Sequence, residues 1–228
     1  MKPWFTPELF RFLSDLEANN ERPWFEANKA RFELHVKEPA MRFIEGFAAP
    51  LQTISPHFLA IPKSQGGSMF RIHRDTRFSA DKRPYKNNVG LHFRHSAGAD
   101  AHTPGYYLHL QPGECFAGLG LWMPDPETLG HIRTAIVEQP DAWSQVKAAL
   151  TEAGLAVTHD ETSLKRPPKG YPADHPHIDD LRLKSFAVGR PMSEEEILAP
   201  DLMERFTMIC RDGSPLVSFL CAAVKQPF

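Results

Sequence analysis

Hydrophobic positions recur at helical spacing near the N-terminus, switch to strict alternation in the middle of the chain, and return to helical spacing toward the C-terminus. Phe5, Leu9, Phe12, Leu13 and Leu16 form one helical stripe. Thr6-Pro7-Glu8 opens it with a capping hydroxyl, a proline whose missing N–H costs nothing in the first turn, and a carboxylate at the positive end of the helix dipole. Asn19-Asn20 closes it. A second helix is expected to start near residues 20–23 and to bury Trp24, Phe25, Phe32 and Val36 in part. Pro39 should break or kink that helix, with Met41, Phe43, Ile44, Phe47 and Leu51 continuing on a third segment. Gln65-Gly66-Gly67 reads as a loop.

Alternation then predicts strands over residues 68–75, 88–95, 105–111 and 115–122, with Pro112-Gly113 turning the last two into an antiparallel hairpin. Helices are expected over 126–138 and 140–153, followed by a basic, proline-rich loop over 165–176 and a fifth strand over 181–188. Ser193-Glu194-Glu195-Glu196 is a capping box opening a helix over 194–211, broken early near Pro200, and a last helix spans 215–225. The expected fold class is α+β: an antiparallel sheet of about four to five strands packed with N-terminal and C-terminal helices. No repeat, low-complexity stretch or linker divides the chain, so residues 1–228 read as a single domain.

Composition changes little in this picture. The chain has 228 residues, 42% hydrophobic and 24% charged, enough to bury a proper core. Its 21 prolines imply rigid loops and short helices. Cys115, Cys210 and Cys221 have neither metal-ligand spacing nor the look of a disulfide framework. The first residues lack the apolar core of a secretory signal and no apolar run is long enough to span a membrane, so a soluble cytoplasmic protein with no membrane partner is expected.

Charge does change it. The formal net charge is −2, yet residues 71–86 carry Arg71, Arg74, Arg77, Lys82, Arg83 and Lys86 against only Asp75 and Asp81. Crowded cations repel unless carboxylates or a bound anion sit among them. On the alternating pattern, Phe70 and Ile72 face one way and Arg71, His73 and Asp75 the other; His92 and Arg94, then Tyr107, His109 and Gln111, share that second face. The long connection over 76–87 would close over this polar face as a basic lip, with Lys165, Arg166, Lys169 and Tyr171 as a second. The candidate ligand-binding residues are therefore Arg71, Arg74, Arg77, Asp81, Lys82, Tyr85, Lys86, Tyr107, Lys169 and Tyr171. His109 and Asp75 are the candidate acid/base groups. The competing structural account pairs Asp75 and Asp81 with Arg71, Arg77 or Lys82 and leaves the remaining charges solvated.

Other patterns carry less. A three-histidine metal site from His73, His92 and His109 is disfavoured because their arginine neighbours would repel a dication, and no metal is expected. Ser79 with Asp81 and a histidine lacks a nucleophile-elbow motif. Gly118-Leu119-Gly120 lacks the third glycine of a phosphate fingerprint and reads as close packing or a bulge within a strand. His175 and His177, in a Pro/Asp loop, are expected to be exposed.

Five stretches together resemble one family: residues 19–29 (NNERPWFEANK), 70–79 (FRIHRDTRFS), 81–86 (DKRPYK), 105–109 (GYYLH) and 168–172 (PKGYP). The chain is similar to the bacterial and fungal domain-of-unknown-function 2461 family over nearly its whole length. That resemblance implies one full-length domain and brings no activity, substrate or cofactor with it. It also draws attention to Asn20, Glu21, Arg22, Trp24, Asn28 and Lys29, which otherwise read as a helix cap beside a buried tryptophan.

Three functions remain open on the residues. One is an enzyme or sensor for a small phosphorylated or carboxylated molecule, with Tyr85 or Tyr107 as hydrogen-bond donor. Another is a nucleic-acid module stacking bases on Phe78, Tyr85 and Tyr171, against which the pI near 6.6 counts. The third is an interaction or structural protein whose charged cluster is internally satisfied. Cofactors and oligomeric state are open.

Overall fold

A computed structural model describes residues 2–77, 80–98, 103–157 and 162–228. Its elements run α1 (Pro7–Ala18), α2 (Arg22–Ala27), α3 (Lys29–Phe32), a π-helical turn (Glu33–Lys37), α4 (Glu38–Ile54), β1 (Val89–Arg94), β2 (Gly105–Leu110), β3 (Cys115–Leu121), α5 (Pro126–Glu138), α6 (Pro140–Glu152), α7 (Ile178–Leu181), β4 (Phe186–Met192), α8 (Glu194–Leu198), α9 (Leu202–Asp212) and α10 (Ser214–Ala223). The four strands form one antiparallel sheet in sequence order, so the fold is α+β.

Pro39 does not break the second helix. The chain passes from α3 to α4 without interruption, and the π turn at Glu33–Lys37 ends two residues before the proline, which takes the second position of α4. A wider turn there relieves the clash a proline ring makes with the preceding turn's carbonyl. Ser193 closes the expected capping box with Glu196, and Asp125 caps α5 by accepting from the N–H groups of Glu127 and Thr128. Thr6 occupies the N-cap position of α1 but makes no side-chain cap bond.

Two strand expectations need correction. Residues 68–75 make no strand among the described residues; Met69 pairs with Leu91 and His73 with Tyr85 as isolated bridges, and between them the chain turns away from β1. The fifth strand expected over 181–188 is instead the fourth, shifted to Phe186–Met192, because residues 178–181 are taken by the short helix α7.

The buried apolar side chains form one contiguous cluster. On the sheet's inner face Leu91, Phe93, Tyr106, Leu108, Leu119 and Val188 meet the helices. Phe47 of α4 and Phe206 of α9 pack on Phe93 with ring centroids 4.6 and 5.8 Å away. Gly213, between α9 and α10, lies so close to Leu119 that a Cβ there would collide with it. With that face filled, the chemistry-bearing residues of β1 and β2 fall on the other.

Candidate functional site: a cleft on the outer sheet face

The strand registers set out this outer face row by row. Gly90, His109, Phe116 and Pro191 make one row; His92, Tyr107, Gly118 and Gly189 the next; Arg94, Gly105, Gly120 and Ala187 the third. A cleft of about 490 Å³ lies over the last two rows, bordered by Phe70, His109, Phe116 and Trp122. That volume is in the range of small-molecule sites. Its lining is mostly aromatic side chain and bare glycine backbone.

Alternation placed His92, Arg94, Tyr107, His109 and Gln111 on this face correctly. Phe70 was expected on the opposite one. In the structure Met69 takes the buried side and Phe70 covers the outer face, its ring 5.7 Å from His92 and 6.0 Å from Tyr107. The reversal follows from the short pairing of residues 68–70 against β1, where Phe70 N–H donates to the Gly90 carbonyl at 2.9 Å. Glycine at position 90 is required here, since a Cβ would strike both the Phe70 and Tyr107 rings.

Tyr107 and His109 form a polar chain along β2. The Tyr107 hydroxyl lies 2.9 Å from His109 Nδ1, and His109 Nε2 lies 3.3 Å from Gln111 Oε1. The Gln111 amide in turn donates to Glu114 Oε2 at 3.3 Å. Because Gln111 Oε1 only accepts, His109 carries its proton on Nε2, and Nδ1 accepts from Tyr107. Burial lowers the His109 pKa, opposed by the Gln111 bond and the Glu114 charge, and raises that of Tyr107 to about 12. The Tyr107 hydroxyl donates to the neutral imidazole, and its oxygen keeps a lone pair that can accept from a ligand.

The basic run divides into two sets. Asp75-Thr76-Arg77 and Asp81-Lys82-Arg83 repeat one device, an aspartate accepting from the backbone N–H two residues on and gripping the same residue's guanidinium. Asp81 also binds Arg74 at 2.8 Å. The guanidinium bonds hold the Asp75 pKa down to about 2 and lower that of Asp81 further still. Asp75 is thus an exposed, ion-paired carboxylate away from the cleft lining, and Arg74, Arg77 and Arg83 are engaged in the loop's own frame. Lys82 donates to the Thr76 carbonyl at 2.9 Å.

Lys86 and Arg71 make up the other set. Neither has an ion pair among the described residues. The Lys86 ammonium sits 5.4 Å over the Phe70 ring, at the edge of the cleft. Desolvation lowers its pKa first, and the nearby charges of Arg71 and Arg74 lower it further.

Several expected lip residues are elsewhere. Tyr85 is buried, stacked 4.2 Å from Phe25, with Asn20 bonded to both its backbone N–H and its carbonyl. It therefore anchors the loop to α2. Tyr171 packs against the core near Arg133 of α5, and Lys169 is exposed; neither lines the cleft. His177 is mostly buried, near Asp180, Ser144 and the Pro140 carbonyl, contrary to the expectation of exposure. His73 packs against Phe25 and Tyr85, apart from His109. Phe78 and Ser79 lie outside the described residues. No group of His, Cys, Asp and Glu able to hold a metal occurs among the described residues.

The model of the family described as "Conserved hypothetical protein (DUF2461)" matches residues 8–219. The chain belongs to DUF2461. The match includes every residue of the cleft and the Asn20 clamp on Tyr85, so the DUF2461 pattern covers site and frame alike. No curated protein and no solved structure matches this DUF2461 chain. Reading the sequence missed Phe116, Trp122 and Gly189 as cleft residues. The available signal was glycine at 105, 118 and 120, inside segments that otherwise read as strands, and at 189, just past the strand expected over 181–188.

Proposed function

We propose that this chain binds a small phosphorylated or carboxylated molecule, its anion held by Lys86 and Arg71 and its body lying in the outer-face cleft. The observation that carries this reading is Lys86: a half-buried ammonium, crowded by Arg71 and Arg74, with no carboxylate partner among the described residues, over the Phe70 ring that borders the cavity. Such a cation is costly unless an anion joins it. Tyr107 and His109 supply proton transfer if the bound molecule reacts there. The buried free cysteines fit a reducing, cytoplasmic compartment.

A second reading draws on the Arg74–Asp81–Arg83 and Asp75–Arg77 pairs, which make the loop itself a frame rather than a binding surface. For that reason Arg74 is no clean probe of ligand binding, and Lys86→Met is. Thermal unfolding across sugar phosphates, nucleotides, carboxylates, sulfate and a short oligonucleotide, at fixed ionic strength, tests the proposal. A small anion at about 100 times its Kd contributes roughly 2.7 kcal/mol, several degrees of midpoint. The expected outcome is a shift with one small class that disappears in Lys86→Met. A shift only with the oligonucleotide, falling steeply with salt, would favour nucleic acid instead. No shift with any member would leave the frame as the loop's whole role.

A further inference from the structure

Gly118 and Gly189 face each other across β3 and β4 in the floor of the cleft. Glycine inside a strand weakens it, having no side chain to pack and more backbone freedom to lose. The structural reasons that excuse it elsewhere in this sheet are missing at both positions. Gly120 has φ +114° and no room for a Cβ beside the Phe186 carbonyl, and Gly105 is pressed by His92 Nε2 and the Phe93 carbonyl. Gly118 and Gly189 have no positive φ. A Cβ at Gly189 meets nothing nearer than 3.8 Å, and one at Gly118 nothing nearer than 3.4 Å. What their missing methyl groups keep clear is the cleft.

Together with Gly105 and Gly120 they leave a patch of bare backbone, closed at one corner by the single methyl of Ala187. With strands about 4.8 Å apart and about 6.7 Å between alternate residues, it measures roughly 10 by 7 Å at its widest. Aromatic side chains, Tyr107, Phe116 and Trp122, border it. A flat floor of peptide planes between aromatic walls suits a planar ring system of one or two rings. The charged end lies some way off. Lys86 sits over Phe70, which packs on His92 and Tyr107 of the first two strands, about two strand spacings (~10 Å) from the paired glycines. Ring and anion must then be joined by a spacer of roughly pentose size.

We infer that the cleft takes a ligand built like a nucleoside 5′-monophosphate, its base flat on Gly118 and Gly189 and its phosphate at Lys86. Only the phosphate end of this assignment rests on the anion reading above; the base seat rests on the glycines.

Calorimetric titration with the four ribonucleoside 5′-monophosphates, adenosine and ribose 5-phosphate tests it, using the wild-type chain, the Gly118→Ala/Gly189→Ala variant and Lys86→Met. At least one monophosphate should bind wild type tenfold or more tighter than ribose 5-phosphate. The double alanine variant should unfold at or above the wild-type midpoint and lose that preference by at least tenfold. If the double variant does not unfold cooperatively, Gly189→Ala alone, whose Cβ has more room, gives the same reading. Ribose 5-phosphate binding as tightly as the monophosphates, or monophosphate binding untouched by the alanines, overturns the base seat and leaves the anion reading standing. Adenosine binding as tightly as its monophosphate, with Lys86→Met without effect, overturns the phosphate seat and keeps the base seat. No binding by any monophosphate overturns the assignment outright.

Discussion

Replacing Gly189 by alanine should make the protein slightly more stable, whereas the same change at Gly120, on the neighbouring strand and the same sheet face, should damage it. Nothing in the local sequence separates these glycines; the surroundings do. A Cβ at Gly189 makes only ordinary van der Waals contact, 3.8 Å from Phe116, and the backbone needs no positive φ, so alanine mainly removes conformational freedom from the unfolded chain. The gain is about 0.5–1 kcal/mol, which for a chain of this size raises the unfolding midpoint by roughly 1–4 °C. At Gly120 the residue sits at φ +114° and the Cβ falls onto the Phe186 carbonyl. Backbone strain and forced repacking together cost about 2–4 kcal/mol, a drop of roughly 5–15 °C. Thermal unfolding followed by far-ultraviolet circular dichroism, without ligand, reads both. If Gly189→Ala lowers the midpoint as much as Gly120→Ala does, the floor glycines are structural requirements and the argument for a vacant floor fails.

The remaining predictions concern the frame and the polar chain. Asp180 is buried and accepts from the Trp143 indole at 2.8 Å, with Lys147 half-exposed beside it. Asp180→Ala, which strands the indole N–H, should cost about 2–4 kcal/mol in urea unfolding; a loss below half a kcal/mol would show that water replaces the carboxylate freely. Phe206 is fully buried against Phe43, Phe47 and Phe93, so Phe206→Ala should cost about 3–5 kcal/mol by the same measurement. His109 has a folded-state pKa below its unfolded one, so the unfolded chain binds the extra proton. Stability from this group is complete above about pH 6.5 and declines as pH falls below that value toward the folded pKa. His109→Gln should flatten the pH dependence between about 7 and 5, and an unchanged profile would mean that folding does not lower the imidazole pKa.

How far this molecule could be read from its residues differs from element to element. Helix starts were legible because their chemistry is local: Pro126 after Asp125, Pro140, and the Ser193–Glu196 box each act within one turn. Alternation on β1 and β2 gave the buried and open faces correctly, since Val89, Leu91 and Phe93 leave no ambiguity. It failed at Phe70 because residues 68–70 pair only briefly with β1 and then diverge, so a period of two has no sheet to refer to. The role of Asn20, clamping the Tyr85 backbone across 65 residues, carries no sequence signal without a contact map. In the charged run the structural pairing of Asp75 with Arg77 was among the partners open on the sequence, whereas Asp81 takes Arg74 and Arg83. The run's two Asp-x-Arg turns are local pairings that spacing alone announces, and subtracting them leaves Lys86 and Arg71. Gly118 and Gly189 lie 71 positions apart in the chain and become partners only through the β3–β4 register.

The most direct test of the central claim is residue-resolved acylation of the lysines, read by mass spectrometry, with and without a pool of sugar phosphates, nucleotides and small carboxylates at matched ionic strength. A lowered pKa raises the share of Lys86 present as the free amine, the form that is acylated, and a bound anion both shields the group and favours its protonated form. The account predicts that the pool protects Lys86 at least fivefold while exposed Lys82 and Lys169 react as before. Equal labelling of Lys86 with and without the pool would contradict it.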